Sequence, residues 1–216
     1  MEANGFELSA ATILSRCRQV SAEPRQYEFP GRLRTCEQYS ALIRLFSQLD
    51  HRRDDDLLAG ALAVYGWMPT MMDELSSRDE LKALIAELIG TKPDLVVGVL
   101  DRYQGTGALR SVNNSIVGTS KLLHFFLPEK VAIWDSVLGR SFGLINRDQF
   151  HREDRFITYV RAVHEVLRSA DYPWERLDIA TGLPADDVSR IRRVQFTLYA
   201  YARRHTDATQ PSDTSA

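Results

Sequence analysis

Apolar residues recur along this chain every three or four positions, and no stretch alternates apolar with polar residues as a half-buried strand does. The pattern predicts an all-α fold. Ser9 to Val20 forms a first helix, followed by an irregular stretch through Pro24, Pro30 and Gly31. A second helix starts at Thr35, whose spacing to Gln38 makes a capping box, and presents Tyr39, Leu42, Ile43, Phe46 and Leu49 to a core. Asp54, Asp55 and Asp56 place negative charge on the first turn of a third, which runs through Leu57, Leu58, Leu62 and Tyr65 until Pro69 stops it. Ser77 and Glu80 open a fourth with another capping box, and Gly90 closes it at the position that favours a left-handed cap. Pro93 suits the first turn of a fifth, which ends near Gln104 before the turn Gly105-Thr106-Gly107.

Towards the C-terminus, Asp154 to Ala170 reads as a long amphipathic helix, Trp174 to Thr181 as a short one and Asp186 to His205 as the last. Residues 206–216 hold no side chain that packs a core and are expected to be disordered. The length, 216 residues, suits one compact helical domain over residues 1–205, with enough chain for two lobes around a shared cleft.

Composition narrows the function classes. No run approaches the roughly 18 apolar residues of a membrane span, and the N-terminus lacks the features of a secretory signal, so a cytoplasmic protein is expected. Cys17 and Cys36 cannot supply the four thiolates of an iron–sulfur cluster, and His164-Glu165 is not followed by a second histidine at helical spacing. Neither a metal nor another cofactor is expected. The net charge of −2 argues against indiscriminate attraction to nucleic acid. Arg190, Arg192, Arg193, Arg203 and Arg204 nevertheless bunch near the C-terminus, as a basic face or as a solvated helix surface.

The stretch from Val112 to Gly143 carries the candidate chemistry. Val117-Gly118-Thr119 reads as a tight turn feeding a helix that bears Lys121, and Asp135-Ser136 stands where a second helix begins. Lys121 is one of only four lysines, with Lys82, Lys92 and Lys130, in an arginine-preferring chain. The stretch resembles the helix-hairpin-helix DNA glycosylases, whose hairpin reads roughly L-P-G-V-G-x-K and whose next junction reads V-D-T-H-V-x-R. Val117-Gly118 matches the end of the hairpin, Asp135 the catalytic aspartate, Ser136 the usual threonine and Arg140 the family arginine. Ile116 stands in place of the first hairpin glycine. Ser120 occupies the usual lysine position and Lys121 follows it, turned by roughly 100° about a helix axis.

The resemblance implies a two-lobed helical fold with a central cleft, acting as a monomer on DNA and removing a flipped, modified base. Some bacterial members with similar wording are associated with phage defence. In such an enzyme the unpaired amides of a turn around Gly118, Thr119 and Ser120 hold a phosphate, and the target nucleotide is extruded before it is attacked. The Asp135 carboxylate would stabilise positive charge developing on the sugar and activate water. Serine at the lysine position implies removal of the base without cleavage of the strand, Lys121 being the candidate amine where a Schiff base does form. Trp67 is placed to wedge or stack, Trp134 to line the pocket beside Asp135, and Asn113 and Asn114 to bond a base edge or a phosphate.

Each residue also has a plainer role. Asp135 fits an N-cap, Lys121 a solvated helix lysine, Arg140 a surface or ion-paired side chain, Trp67 and Trp134 core packing, and Asn113-Asn114 a turn. Two rival functions follow: a non-catalytic nucleic-acid-binding module that keeps the hairpin scaffold, and a helical interaction protein with no affinity for DNA.

Overall fold

The computed structural model describes residues 6–27, 32–68, 71–174 and 188–207. Among them the regular structure is helical, and the one strand-like feature is an isolated antiparallel bridge between Leu75 and Val112. The helices are α1 (Ala10–Ala22), α2 (Arg32–Phe46), α3 (Asp54–Gly66), α4 (Arg78–Gly90), α5 (Val96–Arg102), α6 (Ile116–Phe126), α7 (Ser136–Ser141), α8 (Arg147–Phe150), α9 (Glu153–Arg168) and α10 (Arg190–Asp207). α10 packs with α7, α1 and α9, while α6 packs with α2 and α3; α4 and α5 form a third group that reaches the first through α5 and α9.

Several starts follow local chemistry. Ser9 accepts from Thr12 N at the head of α1, three aspartates fill the first turn of α3, and Pro93 opens a 3-10 turn that leads into α5. Ser189 accepts from Arg192 N, so α10 begins at Arg190, later than the expected Asp186. Elsewhere the reading needs correction. α2 is already helical at Arg32, which places Thr35 inside it rather than at its cap.

Ser77 adopts a left-handed backbone (φ 45°) and makes no side-chain cap bond, so the second capping box does not form. The cause is tertiary. Ser76 N donates to Ser111 O beside the Leu75–Val112 bridge, and the chain must reverse sharply at Ser77 to enter α4. Gly90 is the last residue of α4, and Thr91 ends it in an extended conformation with its hydroxyl donating to Glu87 O, in place of a left-handed glycine cap.

Val117-Gly118-Thr119 is likewise not the turn. The three residues form the first turn of α6, capped by Ser115, and the left-handed residues of the preceding turn are Asn113 (φ 52°) and Asn114 (φ 47°). Gly118 is small because α6 lies close to α3: a Cβ there would come within 2.6 Å of Tyr65 Oη and 3.2 Å of the Val112 carbonyl. Of the helix expected over 174–181, only Trp174 is described. Residues 175–187 and 208–216, with most of the expected tail, lie outside the described residues, and 206–207 end α10. No described helix is long and apolar enough to cross a membrane.

Candidate active site

Between α6 and α7 the chain runs through Val131, Ala132, Ile133 and Trp134, all buried. This segment is stitched to two packing groups at once. On the α6 side, Trp134 N donates to Ser120 Oγ (3.0 Å), and His124 Nδ1 meets Val131 O at 2.6 Å. A ring nitrogen facing a carbonyl must carry the proton, so His124 Nε2 accepts from the Tyr39 hydroxyl of α2 at 3.0 Å. Burial pulls this imidazole down to about 3, which keeps it neutral and the network fixed. On the α10 side, Gln195 Nε2 donates to Ile133 O (3.1 Å). Asp135, the next residue after this double seam, is therefore held where the α6 and α10 groups meet.

Asp135 caps α7, its Oδ1 accepting from Leu138 N at 2.8 Å, while Oδ2 accepts no hydrogen bond among the described residues. Lys121 extends from α6 to the same place. Its Nζ lies 2.7 Å from Met68 Sδ and 5.9 Å from the centre of the Trp67 ring. Burial pushes its ammonium below the ordinary lysine value; Asp135 opposes that shift and Arg192 reinforces it. Asp135 acts on it through space, with no ion-pair contact between the two.

Two connected hollows share Met68, Lys121, Asp135 and Tyr199. The inner one, of about 240 Å³, is a recess walled by Trp67, Phe196 and Arg192, with Gln195 on its lining. The outer one, of about 670 Å³, is an open groove edged by Arg140, Ile145, Arg147 and His151. Lys121 and Asp135 thus stand where the smaller recess meets the larger groove.

The recess is polar in an unusual way. Arg192 is 6 % exposed and its guanidinium lies over Tyr39 (4.8 Å), Phe196 (5.4 Å) and Trp67 (5.7 Å). Gln195 is 1 % exposed, and because its Nε2 is committed to Ile133 O, its Oε1 is left without a partner among the described residues. A buried acceptor of this kind is costly unless something supplies a donor. Gln195 does not stand out in the sequence, and Arg192 does so only as one of the bunched C-terminal arginines. Their signal is that Arg192, Gln195, Phe196 and Tyr199 fall at i, i+3, i+4 and i+7, the buried stripe of a helix, with polar residues where apolar ones belong.

The remaining sequence candidates divide. Trp67 and Arg140 line the recess and the groove respectively, and Gly118 lies on the groove floor. Thr119 and Ser120 are buried and bound to scaffold, Thr119 Oγ1 accepting from Val112 N and Ser120 bridging to Trp134. Trp134 is fully buried with its Nε1 donating to Phe150 O, and its ring does not reach either hollow. Asn113 borders the groove, but its amide is engaged: Oδ1 accepts from Asp73 N and Glu74 N, and Nδ2 donates to Met71 O. Asn114 is exposed, outside both hollows. Among the described residues no three His, Cys, Asp or Glu side chains gather to hold a metal ion. Comparison with protein-family models, with characterised proteins and with solved structures finds no match to this chain.

Proposed function

We propose that this protein is a DNA glycosylase that hydrolyses the N-glycosidic bond of a flipped, modified base and leaves an abasic site. The observation that carries the reading is the convergence of a half-buried lysine and a half-liganded aspartate at the mouth of a small recess that opens onto a groove. The extruded base would occupy the recess between Trp67 and Phe196, with Gln195 Oε1 accepting from its edge. Its sugar would then lie beside Asp135, and the strand would follow the groove past Arg140 and Arg147, two packing groups forming the lobes of the cleft.

In that arrangement the bond from C1′ to the base nitrogen breaks as a water oxygen attacks C1′. The Asp135 carboxylate stabilises the cationic sugar and takes the water proton, and the departing base leaves with the bonding electrons. Lys121 adds a desolvated amine at the same junction. Base removal through water leaves the strand whole until alkali is added. Attack by the amine would instead form a Schiff base that borohydride traps.

The decisive variant is Asp135→Asn. Asparagine is as good an N-cap as aspartate, so α7 stays capped while the carboxylate is lost. On DNA panels carrying unmodified, damaged and bulky modified pyrimidines, the wild type should excise one class of base and Asp135→Asn should be slower by on the order of 10³-fold, with DNA affinity kept. Equal excision by both proteins would remove Asp135 from the mechanism. DNA affinity without excision on any substrate would identify a non-catalytic nucleic-acid-binding module, the second reading, which the use of Asp135 Oδ1 as a helix cap favours.

A further inference from the structure

α10 opens on a turn that runs against its own dipole. Its first turn holds Arg190, Arg192 and Arg193 and no acid, where the amides of a helix start favour negative charge. Glu129 acts on Arg190 and Arg193 through space, and the Arg190 guanidinium lies 4.4 Å from the centre of the Trp174 ring. Arg192 goes inward. Its guanidinium is packed among Tyr39, Trp67 and Phe196 and lines the recess but not the groove, whereas Lys121 and Asp135 line both. Rings stacked on a guanidinium face leave its in-plane N–H groups for hydrogen bonds. A permanent cation thus stands on the wall where the extruded base would lie, at a cost to the helix and to its own hydration.

Breaking an N-glycosidic bond gives that cation a use. The electron pair of the bond stays with the base, which leaves as an anion unless a proton reaches it. Asp135 is occupied with the sugar and the water proton, and among the described residues no histidine lines the recess. His124 holds its proton on Nδ1 against Val131 O while Nε2 accepts from Tyr39. Lys121 stays at the mouth beside Met68, its charge weakened by burial, whereas a guanidinium keeps its proton. The groups that act on or feel Arg192 are Tyr39 of α2, Lys121 and His124 of α6 and Tyr159 of α9. Burial keeps the two hydroxyls and the imidazole neutral, so Lys121 and Asp135 are the other charges on the described lining. Away from water, the attraction between Arg192 and an anion is strengthened.

We propose that Arg192 receives the negative charge of the departing base, so that the recess takes an oxopyrimidine that leaves as an anion and needs no acid to protonate it. The inference rests on the glycosylase reading. In such a base a carbonyl adjoins the glycosidic nitrogen and carries the charge to the guanidinium. The water oxygen ends bonded to C1′, its proton on Asp135, and the electron pair on the base, which later takes a proton from solvent. Gln195 Oε1, about one helical turn beyond Arg192, accepts from the ring N–H next to the carbonyl.

The test uses the full chain and two free bases of similar size, 5-nitrouracil, an anion at pH 7.5, and thymine, neutral at that pH. By titration calorimetry the wild type should bind 5-nitrouracil roughly 10- to 100-fold more tightly than thymine. Arg192→Met, whose side chain suits the ring cage, should bring the two affinities together, and Lys121→Met should keep them apart. A wild type that binds neither base, or both equally, would overturn the inference whether or not the variant folds. So would a preference that survives Arg192→Met and disappears in Lys121→Met, which would assign the charge to the lysine. On DNA, Arg192→Met should slow excision by on the order of 10²-fold or more. Excision by a wild type with no anion preference would leave the glycosylase reading standing and remove Arg192 from the reaction. An anion preference without excision of any base would overturn the glycosylase reading and the catalytic role of Arg192 with it.

Discussion

At the scale of single residues, the site is distinguished by side chains that cost stability. Lys121 is half-buried against Met68 and Trp67 and its ammonium is disfavoured by desolvation. A folded-state pKa below the ordinary lysine value means that the unfolded chain binds the proton more readily, so this residue weakens the fold at neutral pH and less so as pH rises. Lys121→Met, similar in length and without charge, should therefore raise the urea midpoint at pH 7 while abolishing any borohydride-trappable intermediate. A lower midpoint would mark Lys121 as scaffold. His124 contributes in a different pH window. Its folded pKa, about 3, lies below the ordinary value of 6.5, so the stability it supports is complete above pH 6.5 and drains as pH falls towards 3. His151 and His164 are displaced in the same direction, by burial first. Urea unfolding at pH 7.5 and pH 5 should show a marked loss for the parent and a smaller one for His124→Asn, which has no group to protonate. Equal losses would assign the acid sensitivity elsewhere.

At the scale of elements, Asn113 separates scaffold from interface. With three hydrogen bonds to the 71–74 segment, its amide fastens the turn before α6 to the chain that leads into α4. Asn113→Ala should cost about 1–3 kcal/mol, read as a lower thermal midpoint, with DNA affinity unchanged at a temperature where the variant is folded. The same segment shows how far the sequence could be read. Apolar spacing located the helices, because a buried stripe must repeat every three to four residues whatever surrounds it. Their ends were legible where the cap was local, as at Ser9 and the three aspartates of α3. They were not legible where a distant partner decided, as at Ser77, whose backbone is turned by the pairing with residues 111 and 112. Asp135 and Lys121 could be singled out as candidates because both belong to one short stretch. Gln195 could not, and Arg192 stood out only as one of the bunched C-terminal arginines, since only folding brings α10 against residues 121 and 135.

At the scale of the whole molecule, the net charge of −2 and the cations of the groove point in opposite directions. A chain that is negative overall has no general attraction for a polyanion, so any affinity for DNA must be local and must scale with the few phosphates that the groove neutralises. Arg140 and Arg147 are the exposed cations on that lining, whereas Lys121 is inside and His151 is held towards its neutral form, by burial first and then by the neighbouring arginines. Two phosphate contacts correspond to a slope of about −2 in log K against log salt concentration. Arg140→Gln should bring that slope near −1 and weaken binding evenly across sequences, because a phosphate contact carries no base information. Lys121→Met, which removes a charge from the recess, should leave the slope where it is. A slope several units steeper in the parent would move the DNA to another face, such as the arginines at the end of α10, and would separate the bound strand from Asp135.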